Sequence, residues 1–142
     1  MIENVEFIEK LRASGLRPTK QRLKICEVLF NRESTFHFTI SDLVKNISEK
    51  INEKISLATV YNTVHAFTRK GYLKEISINS DKSYFDTNTS VHHHFYDEDK
   101  NELIDCHKND DETVNIKKNF PGKKIKSVEV LIRIASDNHN QN

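Results

Sequence analysis

Residues 55–86, ISLATVYNTVHAFTRKGYLKEISINSDKSYFD, decide the fold. Ser56 has the side chain of a helix cap. Gly71 closes the same segment after Arg69 and Lys70, cations suited to the negative end of a helix dipole. Between them Leu57, Val60, Val64 and Phe67 recur at helical spacing as an apolar stripe, and Ala58, Thr59, Asn62, Thr63, Ala66 and Arg69 fall on the opposite face. Beyond Gly71, residues 72–78, a polar turn Asn79-Ser80-Asp81-Lys82 and residues 83–86 read as a β-hairpin. A capped helix running into a hairpin is the end of a winged helix.

Upstream, Val5, Ile8 and Leu11 predict a first helix that Gly15 ends. Pro18 suits the first turn of a second helix, whose apolar face is Leu23, Cys26, Leu29 and Phe30. Thr39 caps a third, with Asp42 three residues on and Leu43, Val44, Ile47 and Ile51 as its stripe. Downstream, Phe95 and Tyr96, then residues 102–106, predict short strands around the acidic turn 97–101. Asp110, Asp111 and Glu112 start a helix that Lys117 and Lys118 finish, and Pro121-Gly122 breaks it. Residues 125–134 alternate as a half-buried strand, with an edge that can pair across a dimer. The expected fold is α+β. A winged-helix domain spans 1–86, a small α/β domain with a strand edge suited to dimerisation spans 87–136, and a flexible tail follows over 137–142.

The net charge of +1 conceals an asymmetry. Residues 1–85 hold 14 Lys/Arg against 10 Asp/Glu, and residues 86–142 hold 8 against 11. A basic front half and an acidic rear half fit a nucleic-acid binder with a separate sensing half, although chance gives the same split. Cys26 and Cys106 are the only cysteines and form no C-x-x-C pair, which argues against a disulfide framework or a Cys-rich zinc site. No apolar run approaches the roughly 18 residues of a membrane helix. Residues 1–10 carry Glu3, Glu6 and Glu9 and no basic run, so no secretory signal is expected and the protein is read as cytoplasmic.

Two groups of residues carry candidate chemistry. In the fourth helix, small Ala58 and Thr59 let backbone approach DNA, Asn62 can bond base edges, and Tyr61 can touch a phosphate or a thymine methyl. Arg17, Lys20 and Arg22 stand at the start of the second helix, where free N–H groups also favour phosphate. An ordinary amphipathic helix with a solvated face has the same pattern. His92, His93 and His94 are consecutive, so on a strand His92 and His94 share a face and His93 takes the other. Such an H-x-H pair chelates transition metals. With Asp86, Asp105 and His37 it forms a His/Asp set fit for a metal site in a hinge tying the two domains together; a solvated strand end is the bland reading.

The string Gly15-Leu16-Arg17-Pro18-Thr19-Lys20-Gln21-Arg22 resembles the G-x-R-x-T-x-Q-R signature of the ferric-uptake-regulator (Fur) superfamily. Residues 55–63 resemble its recognition-helix motif, and the likeness covers most of 10–135. It implies a homodimer on a double-stranded DNA operator, with Arg17 probing the minor groove and Tyr61 and Asn62 in the major groove. The DNA-contact set is then Arg17, Thr19, Arg22, Ser56, Ala58, Thr59, Tyr61 and Asn62. His37, Asp86, His92, His94 and Asp105 match the regulatory metal site of the superfamily's peroxide-sensing branch, which implies bound Fe, Mn or Zn.

Two departures from the superfamily are visible. Asp97-Glu98-Asp99-Lys100 replaces a C-x-x-C pair and the end of the chain holds no cysteine, so the structural zinc held by four cysteines is not expected and apolar packing must hold the dimer. A second His-carboxylate site would need a His near Val128; only Glu112 and His93 remain for it, so it is not expected. Residues 83–95 and 101–105 are most similar to the iron response regulator (Irr) branch, which implies haem at His92, His93 and His94 and release of DNA by the haem-bound form. The Cys-Pro haem motif that some members of that branch carry is missing, since the prolines follow Arg17 and Phe120. The alternative is a repressor in which Fe, Mn or Zn promotes DNA binding. A small metalloenzyme is disfavoured because no general base accompanies the His/Asp set. His65 is left open between surface residue, DNA contact and second haem ligand.

Overall fold

Three hydroxyl caps start three of the four helices. In the computed structural model, which describes residues 2–106 and 116–137, Thr19, Thr39 and Ser56 accept hydrogen bonds from the backbone N–H groups of Arg22, Asp42 and Thr59. They open α2 (Lys20–Phe30), α3 (Ile40–Ile51) and α4 (Leu57–Lys70), preceded by α1 (Ile2–Ala13). Pro18 therefore precedes the cap of α2 rather than occupying its first turn. Gly71, at φ +92°, ends α4: its N–H reaches Thr68 O, the Tyr72 N–H reaches Phe67 O, and the Phe67 and Tyr72 rings meet at 5.9 Å. This is a Schellman closure with its hydrophobic contact.

Contacts divide the chain into two units, Met1–Thr89 and Ser90–Asn142. The first holds all four helices and a three-stranded antiparallel sheet ordered β1 (His37–Phe38), β3 (Lys82–Asp86), β2 (Lys74–Asn79). Its core is Leu11, Ile25, Leu29, Leu43, Ile47, Val60, Val64 and Phe67, all essentially inaccessible. This is the winged-helix order of elements.

Several expected faces shift. In α1 Phe7 and Leu11 face the core while Val5 is exposed. In α2 Ile25, Cys26, Val28 and Leu29 are buried, and Leu23 and Phe30 only partly. In α4 Leu57 faces outward, whereas Thr63 and Ala66 are buried. The positions 60, 63, 64 and 67 form one stripe, and Thr63 satisfies its hydroxyl by donating to Thr59 O at 2.7 Å.

The second unit is a three-stranded sheet with β4 (His94–Asp97) central, antiparallel to β5 (Glu102–Asp105) and parallel to β6 (Leu131–Ile134). The expected strand over 125–134 forms only at its last four residues, because its ladder partner β4 is itself four residues long. Asp97 Oδ1 accepts from the N–H groups of Asp99 and Lys100 in the β4–β5 turn. Asp99 accepts from the Ser136 N–H and hydroxyl, which fixes the end of β6 and holds the Asp99 carboxyl below its usual range. Of the expected helix over 110–118, residues 110–115 lie outside the described residues; Lys117 and Lys118 are in irregular chain. Most of the expected tail, 138–142, is likewise outside them. Among the described residues, no helix is long and apolar enough to cross a membrane.

Candidate metal centre and nucleic-acid interface

In the second unit the register of β4 against β5 sets His94 opposite Asp105. Directly opposed residues in an antiparallel pair share a face, and His94 Nε2 lies 3.2 Å from Asp105 Oδ1. His92 stands in extended chain before β4, not on a strand, yet the two-residue alternation persists. Its ring centroid is 4.2 Å from that of His94, and its Nε2 is 3.8 Å from Asp105 Oδ1. Donor atoms of His92, His94 and Asp105 all fall within 4.8 Å of one another, and His94 is only 4% exposed.

Hydrogen bonds set the role of two of these rings. His92 Nδ1 is 2.8 Å from Ser90 O. A carbonyl only accepts, so Nδ1 carries the hydrogen and Nε2 keeps the lone pair a metal requires. His93 is the reverse. Its Nδ1 accepts from Val130 N–H at 3.0 Å, which commits that lone pair to backbone. Two imidazole nitrogens and a carboxylate oxygen therefore converge, a donor set that suits Zn, Fe or Mn.

In the first unit His37 and Asp86 form a second cross-strand pair, opposed in the β1–β3 register. Asp86 is 2% exposed and accepts from the Asn88 N–H at 2.8 Å. The His37 ring meets Tyr84 edge-on at 5.8 Å. The five expected ligands thus stand as two His–Asp pairs, one on each unit's sheet, with His92 beside the second.

At the N-cap and along the first two turns of α4, Ser56, Ala58, Tyr61 and Asn62 are exposed and Thr59 is half-buried, so these five expected DNA-contact residues are reachable from solvent. Leu57 joins them, a position that its apolar character concealed. Arg17 and Thr19 are exposed before α2. Arg22 is half-buried and its Nη1 donates to Arg17 O at 2.9 Å, so it braces the loop that carries Arg17. His65 is half-buried, its ring against Tyr61; the four-residue spacing on a helix is the sequence signal for that contact.

Residues 13–134 match the model of the ferric uptake regulator family. The peroxide operon regulator of Bacillus subtilis (strain 168) is 37% identical over 102 residues, 72% of this chain and 68% of that protein. The peroxide-responsive repressor PerR of Staphylococcus epidermidis is 35% identical over 102 residues, 72% of this chain and 66% of that protein. The chain thus spans about two thirds of the length of these relatives. Among solved structures, the ferric uptake regulator from Pseudomonas aeruginosa with manganese superposes with a TM-score of 0.64 at 22% identity, covering 96% of this chain and 98% of that one. The regulator from Vibrio cholerae gives 0.66 at 22% identity, covering 91% and 98%. At such identities the solved structures speak for the fold alone.

Proposed function

Since the chain belongs to the ferric uptake regulator family, whose members are metal-responsive transcriptional regulators and not enzymes, we propose a cytoplasmic homodimeric repressor whose operator affinity rises when it binds a divalent Fe, Mn or Zn ion. The proposed ligands are His37 and Asp86 of the first unit and His92, His94 and Asp105 of the second. Arg17, Thr19, Ser56, Ala58, Thr59, Tyr61 and Asn62 are the proposed DNA contacts, with Arg22 bracing Arg17. The convergence of His92, His94 and Asp105 within 4.8 Å carries the reading.

A bound ion supplies positive charge and a fixed coordination geometry. The chain does the rest. Ser90 holds His92 in the ligating tautomer, the β4–β5 register holds His94 against Asp105, and the β1–β3 register holds His37 beside Asp86. An ion that binds two conformations with different affinity shifts the population between them.

Haem is the rival signal, expected from the likeness to the iron response regulator branch. It needs the same imidazoles, and the bond from Val130 to His93 Nδ1 counts against a trio acting together. The test is fluorescence anisotropy with a duplex that the protein itself selects from a randomised pool. Chelator-treated protein should gain affinity with Mn2+, Fe2+ or Zn2+ by about 5- to 150-fold, the usual span of such couplings, and His94→Ala and Asp105→Asn should abolish the gain. Metals without effect, with release of DNA on adding haem, would overturn the proposal in favour of haem. The two relatives above are named for peroxide. Release of DNA by hydrogen peroxide from the Fe2+ form, but not the Mn2+ form, identifies the same signal here.

A further inference from the structure

We propose that His65 is a positioning residue that holds Tyr61 in the orientation that reads DNA. The inference rests on the proposed DNA-reading role of α4. Tyr61 and His65 are four residues apart on that helix, the spacing at which side chains meet. Their ring centroids are 4.1 Å apart with planes inclined at 44°. The other flank of the His65 ring meets Phe85 edge-on, at 5.5 Å and 81°. Phe85 is 2% exposed, stacks on Phe38 at 6.1 Å, and is opposed to it in the β1–β3 register. The Phe85 ring is fixed by the sheet and the core; Tyr61 is 51% exposed. The imidazole thus joins a ring packed in the core to one that is half exposed to solvent.

An exposed tyrosine rotates about two side-chain torsions, and ordering such a side chain at an interface lowers affinity by about two- to tenfold. A ring already stacked on His65 has lost that freedom before DNA arrives. The requirement is for a flat ring of this size between Tyr61 and Phe85, so phenylalanine can replace histidine here and alanine cannot. A space-filling role would weaken folding and all DNA binding alike. Positioning weakens only the contacts that Tyr61 makes.

The experiment uses the full chain in its Mn2+-loaded form and a duplex of about 30 base pairs, three turns of B-DNA, selected by the wild-type protein from a randomised pool. His65→Ala should weaken binding to that duplex by about two- to tenfold per half-site, while affinity for a random-sequence duplex and the salt dependence stay as in wild type. His65→Phe should restore most of the loss. Tyr61→Ala should weaken binding, and adding His65→Ala to it should bring little more. If Tyr61→Ala weakens binding but His65→Ala does not, or if the two losses add in full, the positioning role is overturned and the reading of α4 survives. If Tyr61→Ala has no effect, the role of Tyr61 fails and this inference with it. A DNA-free measurement backs these up: the His65 ring-proton resonances should move on Tyr61→Ala, a surface substitution, and resonances that stay in place overturn the stack.

Discussion

Of the twenty apolar residues buried among the described residues, eighteen lie in the first unit, while the second contributes Tyr96 and Leu103. Large exposed apolar side chains run the other way: among the described residues seven of ten, from Val91 to Ile134, belong to the second unit. One unit wraps helices around its own core. The other presents a thin sheet on which Ile104, Phe95 and Ile132 are neighbours across three strands, with Ile104 and Ile132 exposed. At roughly 25 cal/mol per Å2 of apolar surface removed from water, a sheet gains most stability from what covers it. The contrast supports the proposed homodimer: the first unit has a core of its own, and the second has an uncovered apolar face.

The harshest test removes the centre of the first core. Phe67 is inaccessible, packs against the Phe30 and Tyr72 rings, and ends the apolar stripe of α4. Phe67→Ala should cost about 3–5 kcal/mol, read as a fall in the urea midpoint of the helical signal. A loss below about 1 kcal/mol would mean that the first unit lacks the rigid core ascribed to it. Next in size is the exposed face of the second unit. Ile132→Asp sets a carboxylate in the row formed with Phe95 and Ile104. It should weaken the dimer by at least about 30-fold, the roughly 2 kcal/mol of an interface hot spot, while the helical melting transition stays in place. Unchanged sedimentation at micromolar concentration would show that the face is covered in some other way.

How far the two units can be read from sequence differs for the same reason. In the first, caps and stops are local chemistry. Thr39 and Ser56 select helix starts whatever surrounds them, and Gly71 suits a left-handed stop, so α3, α4 and the hairpin are legible. The inward face of α1 is not. Val5, Ile8 and Leu11 make as regular a stripe as Phe7 and Leu11, and only packing against the other helices selects Phe7. Polarity misleads at Thr63, whose hydroxyl is satisfied within its own helix. In the second unit strand length is set by the partner strand, so the alternation of residues 125–134 overstates β6. The site follows the same division. The His and Asp residue types are readable as ligands, but the opposition of His94 to Asp105 and of His37 to Asp86 is a matter of register, which lies outside any local pattern.

A last comparison, one that shows only at alkaline pH, sets the two cysteines side by side, one in each unit. Cys26 is inaccessible in the first core, and burial pushes its thiol from the ordinary 9.0 to about 12, only partly opposed by the positive charge of Lys10. Cys106 is half-buried, just beyond β5. The thiolate is the reactive form, so an alkylating reagent at pH 8 should modify Cys106 in the folded protein and Cys26 only after denaturation. The same shift has a stability consequence. The unfolded chain ionises Cys26 near 9.0 while the folded chain keeps it neutral to about 12. Its contribution is therefore full below pH 9 and falls by about 1.4 kcal/mol per pH unit as pH rises through that window. Cys26→Ala should remove that part of the alkaline slope in urea unfolding, and Cys106→Ala should leave the slope unchanged. Alkylation of Cys26 at the rate of Cys106 in the folded state would mean that the first core opens as readily as the second unit, and the contrast between the two would fall.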